Sequence, residues 1–212
     1  MKIWALIIVL FTTTTVWAYE GRNIKIIEIG ESSGLKQEIY PVHPEIESQD
    51  AIQFRQIGVF HTPYNQKTGA PRQGILEPET KAVIEIDSIY RKGLADLEKF
   101  EYIIVLYYFN ITKTWSPTVN PPGSDHHFGV FATRSPKRPN PIGFSVVKLE
   151  SIDLEKGILT LSGIDAFEGT PVLDIKPYLP SIDIVHSKEN VTTEKELGHH
   201  DEKYIKDPTM YK

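Results

Sequence analysis

Three stretches of this 212-residue chain concentrate the side chains that could do chemistry. The first is Ile57-Gly58-Val59-Phe60-His61-Thr62-Pro63-Tyr64, followed by Ala70-Pro71-Arg72-Gln73-Gly74. The second runs from Gly129 to Val147 and reads Gly-Val-Phe-Ala-Thr-Arg-Ser-Pro-Lys-Arg-Pro-Asn-Pro-Ile-Gly-Phe-Ser-Val-Val. The third runs from Asp165 to Pro180 and opens Asp-Ala-Phe-Glu-Gly-Thr-Pro-Val-Leu-Asp. In the second, Arg134, Lys137 and Arg138 fall in a loop whose prolines fix φ and hold one shape. Three cations there suit an anion, either a ligand carboxylate or an RNA phosphate, and arginine adds bidentate geometry. From Asn110 to Lys148 there are five basic residues and one acid, Asp125, a local charge of +4 (5 − 1) inside a chain of net charge −5. A solvated surface loop with prolines at strand ends accounts for the same residues. In the third stretch, Asp165 and Glu168 share a turn ending at Gly169. Such a turn can hold a carboxylate near a cation or against ribose hydroxyls, though taken alone the pair is better explained by ordinary turn chemistry.

Several other chemistries are excluded. There is no glycine-rich dinucleotide loop after a strand, no phosphate loop and no paired-histidine metalloprotease helix. The chain has no cysteine, so disulfides, thiolate zinc sites and cysteine nucleophiles are absent. His126-His127 are adjacent and point apart on an extended chain, so no metal is expected. The acidic balance argues against a general nucleic-acid coater, whose binding depends on positive surface charge, and leaves room for a local basic patch.

The elements that must position these stretches are mostly short strands. Gln56 to Phe60, Ala82 to Ile86, Tyr102 to Phe109, Phe128 to Ala132, Phe144 to Leu149, Ile158 to Ile164 and Val172 to Ile175 carry β-branched and aromatic runs. Glu155-Lys156-Gly157 makes a hairpin turn. Residues 88–100 place Leu94, Leu97 and Phe100 at helical spacing behind Ser88 and predict one helix. The fold class is therefore mainly β, an antiparallel barrel with one short helix.

Around the barrel, expected at residues 54–183, residues 19–53 read as a linker with a strand at Ile24 to Ile29. Residues 184–212 read as a polar, mobile tail. Residues 1–18 combine Lys2, an apolar run from Ile3 to Phe11 and small residues spaced two apart, a signal-peptide pattern. The run is shorter than the roughly 20 residues a spanning helix needs. A cleaved signal, an uncleaved anchor, and a buried terminal strand or wrong start codon are its three explanations. Asn110-Ile111-Thr112 and Asn190-Val191-Thr192 match the glycosylation sequon, a triplet common by chance.

In this order the three stretches resemble the signature of the TsaA-like family, whose best understood members are tRNA methyltransferase O enzymes. Gly-Val-Phe-Ala-Thr-Arg-Ser-Pro, Arg-Pro-Asn-Pro-Ile-Gly and Gly-Thr-Pro-Val-Leu-Asp-Ile-Lys-Pro-Tyr-Leu-Pro are very specific, and the likeness covers Phe54 to Asp183. It implies a single-sheeted β-barrel that binds S-adenosylmethionine and works as a homodimer. Its implied reaction is methyl transfer to the exocyclic amine of a threonylcarbamoyl-adenosine beside the tRNA anticodon. The family's cofactor contacts fall on Pro71, Arg72, Gln73, Arg134, Phe144 and Asp165-Ala166-Phe167-Glu168. A further His-Gln pair of the family is Asn110-Ile111 here, and Glu168 stands where members often carry Asp. By the same resemblance, Arg134 or Arg72 would hold the cofactor carboxylate, and Lys137 and Arg138 would meet RNA phosphates. No catalytic base is marked. The N-terminal segment implies export or membrane anchoring, whereas the enzyme needs the cytoplasm. An exported or anchored paralogue keeping the barrel as a small-molecule or partner-binding module is the alternative.

Overall fold

The computed structural model describes residues 40–41, 52–121, 124–185, 187, 190 and 193. The expected signal or anchor at 1–18, the strand at 24–29, nearly all of the 19–53 linker and most of the 184–212 tail lie outside the described residues.

The strands in chain order are β1 (Tyr40–Pro41), β2 (Gly58–His61), β3 (Lys81–Ile86), β4 (Tyr102–Tyr108), β5 (Thr114–Trp115), β6 (Thr118–Val119), β7 (Phe128–Gly129), β8 (Ile142–Asp153), β9 (Ile158–Ser162) and β10 (Pro171–Pro177). Six of them close into an antiparallel barrel in the order β10-β2-β3-β9-β8-β4. Two short ladders, β1 with β5 and β6 with β7, lie outside it.

Side chains on a strand alternate between faces, so every second residue points into the barrel. Ala82, Ile84 and Ile86 of β3, Ile103, Val105 and Tyr107 of β4, and Leu159 and Leu161 of β9 form that inward row. Phe60, Leu94, Val147, Leu149, Ile164, Ala166 and Val172 complete the core. Burying each large apolar side chain contributes about 1.5–3 kcal/mol. Two strands must turn corners for the sheet to close. β8 pairs with β4 through residues 142–148 and with β9 through residues 148–153. It shifts register against β9 between Leu149 and Ser151, and β10 shifts against β4 between Val172 and Asp174. Such bulges bend a strand and increase its twist.

Two expected elements differ in kind. Residues 88–100 form 3-10 turns, Ser88–Leu94 and Leu97–Lys99, with no α-helix. Leu94, Leu97 and Phe100 recur every three residues, which suits three residues per turn. Ala95 is extended, with ψ 137°, and Asp96 is left-handed, with φ 68°, so the chain breaks between them. Pro180–Asp183 forms a single α-helical turn. The expected strand from Phe128 to Ala132 ends at Gly129 and gives way to a 3-10 turn, Val130–Ala132. There the Val130 carbonyl accepts from the Thr133 amide and hydroxyl and from Arg138 Nη1, so local bonds replace a ladder.

The loop after Pro71-Arg72-Gln73 lies hard against the end of β9. A Cβ built on Gly74 would fall 1.8 Å from the Gly163 carbonyl oxygen. Gly74→Ala should therefore cost about 1–3 kcal/mol. Gly93, with nothing within 4 Å of its would-be Cβ, should accept alanine within about 0.5 kcal/mol. Urea unfolding of the two variants checks this, and equal midpoints would show that the loops are not in contact.

Candidate functional site

The Gly74–Gly163 contact brings the first motif loop to the third, because Asp165 follows Gly163 by two residues. From the second motif, Arg134 Nη1 donates to Gln73 Oε1 at 2.9 Å. The Arg134 guanidinium also lies 5.9 Å from the centroid of the Phe144 ring on β8. Gln73 is fixed in turn, its Nε2 donating to the Arg72 carbonyl at 2.6 Å. Pro71 is buried and Arg72 half-buried. One rim of the barrel thus gathers Pro71, Arg72, Gln73, Arg134, Phe144 and Asp165.

Asp165 is held from inside the barrel. Its Oδ1 accepts from Ser145 Oγ at 2.7 Å and from Tyr107 Oη at 3.1 Å. Tyr107 and Ser145 are themselves 3.1 Å apart, on neighbouring strands β4 and β8. Burial pushes the Asp165 carboxyl up from its ordinary value, while the Ser145 and Tyr107 hydroxyls, its own backbone amide and the Arg134 charge oppose that rise. Burial, then the Asp165 charge, pushes the Tyr107 phenol well above its usual range. The Tyr107 ring needs space that only Gly143 leaves, since a Cβ there would meet Cε2 at 2.1 Å.

The rest of the 165–168 turn is stitched to the first motif. The Thr62 hydroxyl donates to the Ala166 carbonyl at 3.0 Å, and the Glu168 amide to the Tyr64 carbonyl at 2.8 Å. Glu168 Oε2 accepts from the Thr62 amide at 2.7 Å, and Oε1 lies 3.0 Å from His61 Nδ1. Both Glu168 oxygens are therefore engaged within the protein. Phe167 is half-buried in the same turn. Tyr64 Oη donates to Glu77 at 2.7 Å, and its pKa is pushed up to about 12, first by burial.

Asn110 meets this turn from the far side, its Nδ2 donating to the Gly169 carbonyl at 3.4 Å. Ile111 is exposed. Lys137 is exposed beside the site. Arg138 is committed to the loop, with Nη1 donating to the carbonyls of Val130 (3.0 Å) and Thr133 (2.6 Å) and the guanidinium 5.7 Å from the Phe131 centroid. No group of three metal-ligating side chains occurs among the described residues. Sequence reasoning gave no role to Tyr107 or Ser145. Both stand on inward positions of strands otherwise filled by apolar or small residues, and that misplaced polarity was the available signal.

Residues 59–184 match the family described as tRNA-methyltransferase O N-terminal domain. The chain belongs to this family. It is 44% identical over 138 residues to the tRNA (adenine(37)-N6)-methyltransferase of Escherichia coli K12, covering 61% of this chain and 59% of that protein. An S-adenosyl-L-methionine-binding protein of Archaeoglobus fulgidus is 41% identical over 133 residues, 63% of this chain and 94% of its own length. A probable S-adenosyl-L-methionine-binding protein of the same organism is 46% identical, but this chain covers only 36% of it. Among solved structures, TrmO from Pseudomonas aeruginosa superposes with a TM-score of 0.53 at 36% identity, over 65% of this chain and 60% of that one. The chain thus spans well under two thirds of several relatives it matches.

His61 generates a pH-dependent prediction. Its Nδ1 faces Glu168 and its Nε2 lies 3.5 Å from Glu85, so both ring nitrogens meet carboxylates. The bond to Glu168, with smaller help from Glu85, raises its pKa against the opposing effect of burial. A raised folded-state pKa gives stability that is complete below the unfolded value and lost as pH rises through the folded one. The stability of the wild type relative to His61→Gln should therefore shrink between about pH 6 and 8. Urea titrations across that range measure it, and a constant difference would mean that folding leaves the His61 pKa unchanged.

Proposed function

We propose that this chain binds S-adenosylmethionine at the barrel rim and transfers its methyl group to tRNA. The acceptor is the exocyclic amine of a threonylcarbamoyl-adenosine beside the anticodon. The observation that carries this is the convergence of three motif loops, with Arg134 bonded to Gln73, beside Phe144 and within electrostatic reach of Asp165. That set offers a cation for a carboxylate, a carboxylate for an ammonium or hydroxyls, and an apolar ring face, which fits a zwitterionic nucleoside. The Archaeoglobus relative matched over 94% of its length is named for binding that compound, which supports placing the cofactor in the barrel. The names of longer relatives, of which this chain covers 59% in Escherichia coli and 34% in the rat, support the RNA substrate.

When bound, S-adenosylmethionine supplies a methyl group on a positively charged sulfonium. The chain's own task is alignment, since no covalent intermediate with the protein is required. Arg134 orients by its charge and Phe144 by its ring. Beyond them, Lys137 offers an exposed cation for phosphate. Phe131 is 78% exposed under the Arg138 guanidinium, and such a cation-backed ring is a stacking surface for an unpaired base. In this reading the barrel lies on the cytoplasmic side of any membrane, where tRNA would be met, with residues 1–18 as an anchor. No helix among the described residues is long and apolar enough to cross a membrane.

A homodimer completes the proposal. On the outer face of the sheet, Ile142, Phe144 and Val146 of β8 stand opposite Tyr108, Leu106 and Ile104 of β4. The three β8 side chains are 37–45% exposed, and an apolar face of this kind suits a self-complementary two-fold interface. Val146→Glu should give a monomer where the wild type sediments as a dimer, and a wild-type monomer at micromolar concentration would remove this part.

The function is tested by calorimetry with S-adenosylmethionine and by methyl transfer to threonylcarbamoyl-adenosine tRNA. Arg134→Ala should weaken cofactor binding about ten- to hundredfold, the worth of a charge-assisted hydrogen bond. Lys92→Ala, far along the chain in a solvated turn, should leave it unchanged. No binding by the folded wild type at millimolar cofactor would overturn the proposal, and binding without transfer would leave a ligand-binding module.

A further inference from the structure

Among the features of the rim, the support beneath Asp165 carries furthest. Tyr107 is 1% exposed and Ser145 7% exposed, so both hydroxyls lie inside the barrel. They come from adjacent strands, and both reach the same carboxylate oxygen, Oδ1, at 3.1 and 2.7 Å. Neither reaches Oδ2. The flanking residues cannot turn, because Ile164 is 0% and Ala166 2% exposed and both are packed in the core. Asp165 is thus fixed at its backbone on two sides and at one oxygen of its carboxylate.

Resting on the cofactor reading above, we propose that Tyr107 and Ser145 are positioning residues of the cofactor site, committing Oδ1 of Asp165 to the protein so that Oδ2 is presented to an ammonium or hydroxyl of the ligand. The pair acts through Asp165 and makes no contact with the reacting atoms. It also explains why a phenol and a serine occupy inward strand positions where apolar residues would pack as well. An Asp165 left without these donors would be both misaligned and harder to ionise, since hydrogen bonds to the charged form favour that form. The other ionisable groups acting on Asp165 are Arg134, from the second motif loop, and Tyr64, whose own hydroxyl is engaged by Glu77.

A merely structural role would lower stability without changing the pH dependence of binding, so the decisive readout is the affinity profile. Kd for S-adenosylmethionine is measured by calorimetry from about pH 4 to 8 on the full chain, as wild type, Tyr107→Phe, Ser145→Ala and Asp165→Asn. Tyr107→Phe keeps the ring that packs against Gly143 and edge-on to Phe60, and Ser145→Ala removes a single oxygen, so both should fold. Melting curves at each pH confirm it. The expected result is binding about tenfold weaker at pH 7 in each hydroxyl variant, the usual worth of one hydrogen bond to a charged group. The acid limb of the profile should move up by about one pH unit in both, the same free energy expressed as a pKa. Asp165→Asn should be weak at every pH and show no limb. Folded Tyr107→Phe and Ser145→Ala proteins that keep the wild-type limb and affinity would overturn the positioning role. Failure of the wild type itself to bind would instead overturn the cofactor reading.

Discussion

A hydroxyl sealed inside a closed barrel must find a partner, because a buried donor left unpaired costs about 1–3 kcal/mol. Tyr107 faces that constraint near the end of β4, wedged edge-on between Phe60 and Phe109 with ring centroids 5.6 and 5.3 Å away. Its ring direction is set by this packing and by the missing side chain at Gly143. The hydroxyl can then reach only what the neighbouring strand and the following turn bring to it, Ser145 and Asp165. Asp165 in turn needs donors, since burial penalises its charge. Core packing and rim chemistry are here one problem: the requirement that satisfies the phenol also fixes the carboxylate.

The rim is held together by backbone as much as by side chains. Gly74 against Gly163 joins the first motif to the end of β9. The Gly169 amide donates to the Phe60 carbonyl and the Phe109 amide to the Pro141 carbonyl, tying the third motif to β2 and the proline loop to the end of β4. Backbone contacts of this kind tolerate changes of side chain while keeping the loops in register. That accounts for motifs rich in glycine and proline around a few functional residues. Loops carry the chemistry, and the closed sheet supplies the rigid frame.

Most of the barrel was legible because β3, β4 and β9 carry runs rich in β-branched, aromatic and other apolar residues. The departures have local causes. At residues 88–100 a three-residue spacing was read as α-helical, although it suits a 3-10 turn equally well. At Val130 the sequence continues like a strand, but the Thr133 and Arg138 donors capture its carbonyl. The rim residues Gln73, Arg134, Phe144 and Asp165 were legible through their motifs. Tyr107 and Ser145 were not, since a tyrosine or serine in a strand is ordinary until its direction is known.

Asp165 and Glu168, and likewise Arg134 and Arg138, show how environment divides roles that sequence leaves equivalent. Glu168 lies at the surface with one oxygen on the Thr62 amide and the other on His61. Burial would raise its pKa, yet those bonds outweigh burial and lower it, as expected of a carboxylate that fastens a turn. Asp165, three residues earlier, is raised instead, because burial there outweighs its two hydroxyl donors. The arginines divide the same way. Arg138 spends its donors on two backbone carbonyls of its own loop, so its removal would disorder the loop before it altered any ligand. Arg134 has a side-chain amide as its hydrogen-bond partner and remains exposed, so its charge is available to an anion. A cation that ligands can reach and a carboxylate held by hydroxyl donors therefore face the same rim. That polarity would orient the zwitterion of the proposed function.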